Sequence, residues 1–283
     1  MTEAPKTPAG NLFLYAPREA VAAVALLVPA LGVPASYYEP FCREMVRQNI
    51  AVMIGDLPGQ GTSRPRAGRA TKHGYHHLVS SVLPYWISEI REYAGNDTPV
   101  YLAGHSLGGQ LSLLYVAETP FGVDGVILIT AASPHFRGYT GLSKIAVLTL
   151  SQFAMVISTI WGYWPGHRLG FGGAQPARLM REWARLARSG RFTSDGADKD
   201  YDRILENVHT PVLSISVEGD RLAPPSAVDE LCRKIASAPI TRWHWTPEPG
   251  LRVDHLQWAR RGGPIARYIR EWMAGSWGRA QNA

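Results

Sequence analysis

Val100-Tyr101-Leu102-Ala103-Gly104-His105-Ser106-Leu107-Gly108-Gly109-Gln110 is the stretch on which the fold turns. A short apolar run enters it, G-x-S-x-G stands at its centre, and an apolar segment with Leu111, Leu113, Leu114 and Val116 leaves it. The five-residue pattern alone carries little, because Gly and Ser are common. Between a strand and a helix it specifies a sharp turn that lifts the serine hydroxyl above a sheet. Gly104 and Gly108 leave room for the backbone to fold back on itself. Ser106 is then the candidate nucleophile, and the Leu107 N–H, opening the helix, can face a developing oxyanion.

Working outward, residues 20–28 (AVAAVALLV), 50–54 (IAVMI), 100–103, 126–130 (VILIT), 212–217 (VLSISV) and 240–245 (ITRWHW) read as strands. They are short, rich in Val and Ile, and bounded by turn residues. Residues 37–48 read as a helix with Tyr38, Phe41, Met45 and Val46 on one side. Residues 75–93 read as another, with Leu78, Val82, Trp86 and Ile90 four apart and Pro84 kinking it or ending its first part. A last helix is expected over 265–273. Strands separated by single helices imply a mostly parallel α/β sheet flanked by helices, with ligands at the carboxyl ends of its strands. No strand is evident between Thr130 and Val212, and a gap of that size implies a helical insertion.

A serine nucleophile needs a base, and the base needs an orienting carboxylate. Of the nine histidines, His255 lies in the loop after the last strand, where the base belongs. His244 is within that strand, and His105 adjoins Ser106 but points away from the reaction centre. His73, His76 and His77 cluster before a helix without the cysteines or spaced carboxylates of a metal site, so no metal is expected there. The carboxylate should follow the preceding strand. Asp220 in the turn after Gly219 is favoured, with Glu218 as runner-up and Asp254 a poor alternative beside His255.

The order Ser106, Asp220, His255 resembles that of the α/β-hydrolase superfamily. Asp56-Leu57-Pro58-Gly59-Gln60-Gly61-Thr62-Ser63 resembles its D-x-P-G-x-G-x-S turn, and residues 219–231 (GDRLAPPSAVDEL) resemble its acid-bearing loop. LLVPALG at 26–32 is similar to the stretch where many members carry His-Gly, here Pro29-Ala30. The resemblance then places a second oxyanion N–H at Leu31, with Pro29 stiffening the loop. PALGVPASYYEPF, WGYWPG and DHLQW are similar to a little-characterised group of predicted bacterial α/β-hydrolases. The implied organisation is a core of residues 1–132 and 208–283 carrying a helical cap over 133–207. The implied activity is hydrolysis of a carboxylic ester or thioester with a largely apolar acyl group, needing no metal or organic cofactor. An acyltransferase, cyclase or peroxidase-like enzyme using the same residues, and a non-catalytic ligand-binding homologue, are the alternatives.

Residues 144–164 (KIAVLTLSQFAMVISTIWGYW) approach the length of a membrane span. Ser, Thr and Gln recur in them and they sit between two parts of one fold, so a cap lining an acyl pocket is preferred to a stable span. Trp161, Tyr163 and Trp164 would stand on that pocket's wall or in the cap's own core. The chain has 283 residues, 46% hydrophobic and 18% charged, which excludes a disordered chain, and two cysteines exclude a disulfide scaffold. The formal charge of +6 is local: residues 64–72 (Arg64, Arg66, Arg69, Lys72) and 178–191 (Arg178, Arg181, Arg185, Arg188, Arg191 against Glu182) each carry +4, leaving the rest near −2. No aromatics interleave the first run, so nucleic acid is not an expected partner. Arg178, Arg181, Arg185 and Arg188 make one helical stripe, either a solvated face or a rim for an anionic group such as a carboxylate or phosphorylated acyl carrier. Met1 to Pro8 shows no basic start and apolar core of a leader, giving a cytoplasmic expectation.

Overall fold

The computed structural model describes residues 2–3, 12–18 and 20–280. Most of Met1 to Pro8, and with it the reading of a missing leader, lies outside the described residues. In chain order the strands are β1 (Thr2–Glu3), β2 (Leu12–Tyr15), β3 (Ala23–Val28), β4 (Ile50–Gly55), β5 (Val100–His105), β6 (Gly125–Ile129), β7 (Tyr163–Pro165), β8 (Ala174–Pro176), β9 (Val212–Val217) and β10 (Ile240–Trp245). The main sheet runs β1-β2-β4-β3-β5-β6-β9-β10. β1 and β2 are antiparallel to their neighbours, and every pairing from β4 to β10 is parallel.

β3, β4, β5, β6 and β9 are buried along their whole length, as strands covered on both faces must be. In β3 the alternation is direct. Val24, Leu26 and Val28 enter one core with Trp86, Leu102 and Leu114, beneath the helices Leu83–Ala94 and Leu107–Glu118. Ala25 and Leu27 enter the other with Phe41, Ile127, Trp258 and Ile269, beneath Glu39–Arg47 and Gly263–Ala280. Removing these side chains from water supplies the dominant favourable term in folding.

Three local features differ from the sequence reading. β2 was not expected; it is four residues long and only Leu12 is buried, so it carries too little periodicity to show. In Glu39–Arg47 the buried set is Phe41, Cys42 and Met45, with Val46 half-buried. At Pro84 the expected break takes the second of its two forms: the first part ends in a widened π turn, Leu78–Val82, and the proline stands in the first turn of Leu83–Ala94, where its missing N–H is harmless. Between β6 and β9 the chain holds the helices Gly141–Trp161, Ala177–Ser189 and Tyr201–Leu205, and also the hairpin pair β7 and β8, three residues each. Phe192, Tyr201 and Leu205 at the end of this segment belong to the same core as Leu111 and Leu114.

Candidate active site

The turn after β5 has the geometry its glycines require. Ser106 has φ 53° and ψ −115°, left-handed backbone that a non-glycine residue adopts at a cost of roughly 1–3 kcal/mol. A Cβ on Gly104 would stand 2.4 Å from the Gly108 backbone, and one on Gly108 would stand 2.1 Å from the Val28 carbonyl oxygen. The turn can therefore close only without side chains at both positions. The Leu107 N–H opens the Leu107–Glu118 helix, where a first-turn donor has no helical acceptor.

Asp220 and His255 come from the loops after β9 and β10. His255 Nδ1 lies 2.8 Å from Asp220 Oδ2. The other carboxylate oxygen, Oδ1, accepts from the N–H groups of Leu222 and Ala223, each at 2.9 Å. Asp220 is thus buried with both oxygens occupied, which fixes its orientation. Glu218 is exposed. Asp254 accepts from the N–H groups of Leu256 and Gln257 and so caps the following turn, away from the imidazole.

Ser106 and His255 line one cavity of about 540 Å³. Its wall is mostly apolar: Leu31 and Val33 on one side, Ala146, Val147 and Leu150 of the Gly141–Trp161 helix above, with Phe171 and Trp183 behind. The expected wall residues lie elsewhere. Trp161 is exposed and its carbonyl accepts from Arg69 Nε; Trp164 is buried against Ala154 and Met180, its Nε1 donating to the Phe171 carbonyl. Tyr163 lines a separate groove with Arg66 and His167. Large amphipathic rings suit a mouth in general, but here the Gly162 turn carries them past the opening, and Ala146, Val147 and Leu150, roughly three to four helical turns earlier, form the roof.

The loop at Pro29-Ala30 is held by contacts that sequence reading missed. The buried Tyr38 hydroxyl accepts from the Ala30 N–H at 2.9 Å and shares a hydrogen bond of 2.6 Å with His105 Nδ1. Gln60 Oε1 accepts from the Gly32 N–H at 2.7 Å, and Gln60 Nε2 donates to Gln175. The Leu31 N–H between them faces no protein acceptor among the described residues. Asp56 explains the D-x-P-G-x-G-x-S turn: it accepts from the N–H groups of Ala35 and Thr62 and from the Thr62 hydroxyl, and a Cβ on Gly61 would overlap it. Gly32 itself meets Gly172 backbone to backbone, where a Cβ would come within 2.2 Å.

His105 is buried with its ring 4.9 Å from that of His255 and edge-on to Trp258. Burial first, then the proximity of His255, pushes its pKa well below the ordinary histidine value, opposed in part by the His255 backbone carbonyl. It is a neutral strut between the loops of Ala30 and His255. The remaining histidines are not gathered at the cavity's reacting end. His244 bonds Ser216, His135 bonds Glu230, and His76 bonds the Tyr201 hydroxyl. His73 is pushed down to about 4, by burial and then by His77. Its folded pKa is depressed, so between about pH 6.5 and 4 the unfolded chain binds the proton and the folded one does not, and stability falls as pH falls. Lowering pH from 7 to 5 should therefore cost about 2 kcal/mol at this site. Thermal melts should show the acid-induced drop in Tm shrinking in His73→Gln; an unchanged drop would contradict it.

A model of the family described as serine aminopeptidase, S33, matches residues 19–248. Among curated proteins, the human monoglyceride lipase is 33% identical over 93 residues, 33% of this chain and 29% of that one. The magnesium-chelatase 30 kDa subunit of Rhodobacter capsulatus is 34% identical over 91 residues, 32% and 28% of the two chains. These matches span less than a third of either relative's length. Among solved structures, a soluble variant of the Saccharomyces cerevisiae monoglyceride lipase superposes with a TM-score of 0.69 at 13% identity, covering 94% of this chain and 91% of that one. A Bacillus anthracis bromoperoxidase superposes at 0.63 and 15% identity, covering 96% and 100%. With its parallel sheet, its G-x-S-x-G turn and a family match over most of its length, the chain belongs to the serine aminopeptidase S33 family of α/β-hydrolases.

Proposed function

We propose that the protein is a serine hydrolase of carboxylic esters or thioesters with a largely apolar acyl group. The observation that carries this reading is the Asp220–His255 hydrogen bond at an apolar cavity that also holds the strained Ser106. Ser106 Oγ attacks the acyl carbonyl while His255 takes its proton. Asp220 fixes the imidazole tautomer and stabilises the imidazolium. The Leu107 and Leu31 N–H groups hold the oxyanion, the leaving group departs with the proton from His255, and a water activated by His255 releases the acyl group. Residues 133–207 act as the cap whose helix roofs the acyl pocket. Support also comes from the lipases among the curated relatives.

Turnover of p-nitrophenyl esters should rise with acyl length until the cavity is filled, and a fluorophosphonate should label Ser106. Faster cleavage of peptides than of esters, or no labelling, would overturn the proposal. Tyr38 gives a finer check. Tyr38→Phe leaves the Ala30 N–H and His105 Nδ1 unpaired and loosens the Leu31 loop without touching the acyl pocket. Loss of an oxyanion donor costs about 10²–10³ in rate, so a loosened one should lower kcat about 10–10²-fold with KM little changed. Steady-state kinetics would show this; a rise in KM at constant kcat would assign Tyr38 to substrate binding.

A further inference from the structure

The Gly141–Trp161 helix is built inside out. The residues it buries are small, Ser151, Ala154 and Ser158, and they let it lie close along the Ala177–Ser189 helix. Its large apolar side chains face solvent: Leu142, Ile145, Phe153, Val156 and Ile160 lie along one stripe, with the exposed Thr149 filling the step between Ile145 and Phe153. Leu142 is 84% and Ile160 70% exposed, and only 17% of the most apolar 18-residue window is buried. Folding has not used this face. A soluble surface seldom leaves so long an apolar stripe uncovered without a partner.

The charge around it states which partner fits. Between Asp124 and Glu182 the sequence has no carboxylate, while Arg137, Lys144, Arg168, Arg178 and Arg181 fall within that interval. Arg137, Lys144 and Arg168 are exposed, and Arg188, also exposed, bonds Gln152 of the helix itself. Trp161 closes the stripe at its C-terminal end, half-exposed, as an amphipathic ring at a polar boundary. A helix with an apolar outer stripe, no carboxylate of its own and the cations Lys144 and Arg188 on and beside it matches a surface of acyl chains under anionic headgroups. The same helix reaches the cavity through Leu150, and Leu222 and Leu256, also exposed, line it. One helix thus roofs the pocket with Ala146 and Val147 and turns its opposite face outward.

We infer that this helix docks the protein on the surface of a membrane containing anionic phospholipid, lying in the interface without crossing it. Its small-residue face is committed to the Ala177–Ser189 helix and both its ends return to the fold, so it cannot span a bilayer as it stands. Docking is independent of the catalytic proposal and is measured on protein whose nucleophile is removed. Full-length Ser106→Ala protein should float with vesicles of phosphatidylcholine containing about one-third phosphatidylglycerol, and much less with phosphatidylcholine alone. Adding Ile145→Asp and Ile160→Asp should lower the bound fraction at least about tenfold, with circular dichroism unchanged. Lys144→Glu should remove part of the phosphatidylglycerol dependence, and it carries the comparison if the double variant is not folded. Absence of flotation, or flotation that none of these changes alters, would overturn the inference. So would a dimer in sedimentation velocity that the aspartates dissociate while vesicle binding is absent, since a second copy would then be the occupant.

Discussion

Ser106→Ala should lower ester turnover about 10⁵–10⁶-fold and abolish fluorophosphonate labelling, with the fold and substrate affinity retained. The size of the effect follows from what is left. The Leu107 and Leu31 N–H groups would still polarise the carbonyl, and His255 would remain bonded to Asp220, but no oxygen would stand where the covalent bond forms. Residual turnover should be what those N–H groups and binding give to a water attack. Ser106→Gly makes a complementary check. The positive φ at this position is costly for any side chain and free for glycine, so Ser106→Gly should be inactive yet more stable by about 1–2 kcal/mol, a rise visible in Tm. An active Ser106→Ala protein would remove the catalytic proposal entirely; a Ser106→Gly protein no more stable than wild type would remove the strain argument alone.

Asp220→Asn should cost about 10⁴-fold in kcat. Oδ1 already accepts from two N–H groups, of Leu222 and Ala223. An asparagine would keep its carbonyl oxygen there and direct its NH₂ at His255 Nδ1. That inverts the bond: the imidazole would have to accept at Nδ1 and carry its proton on Nε2, the wrong tautomer for a base. The substitution preserves shape and both backbone contacts, so stability should change little. Asp220→Ala would also leave the two N–H groups unpaired and should cost about 1–3 kcal/mol in addition. Crystallography of the variant with kinetics across pH separates the cases. A loss of less than tenfold in the asparagine variant would mean that Asp220 is only structural.

Much of this was readable before any coordinates. The strand–turn–helix at Ser106 is legible because its backbone cannot close with side chains at Gly104 and Gly108, so the glycines mark the geometry directly. Asp220 and His255 are legible because each lies in a short loop after a strand whose composition is unambiguous. What could not be read depends on contacts across distant parts of the chain. Tyr38 and His105 are 67 residues apart and nothing in either neighbourhood points to the other. The segment over the pocket was expected, but which of its residues face the cavity was not, for a different reason. An apolar helix is normally assumed to turn its large residues inward, and residues 141–161 do the reverse, packing on serines and alanine. Aromatic Trp161, Tyr163 and Trp164 drew the eye, while Ala146 and Val147 did the lining.

The contact between Gly32 and Gly172 has a consequence for altering what the pocket accepts. At that wall the partition is main chain against main chain, with no side chain to shorten. Trimming, the usual way to widen a binding site, has nothing to act on there, and any added methyl group wedges the roof from the Leu31 loop. Room for a bulkier ligand has to come from lining side chains elsewhere, such as Val147, Leu150, Phe171 and Trp183. The pocket is therefore open to change through its side chains and fixed where Gly32 meets Gly172, beside the Leu31 loop.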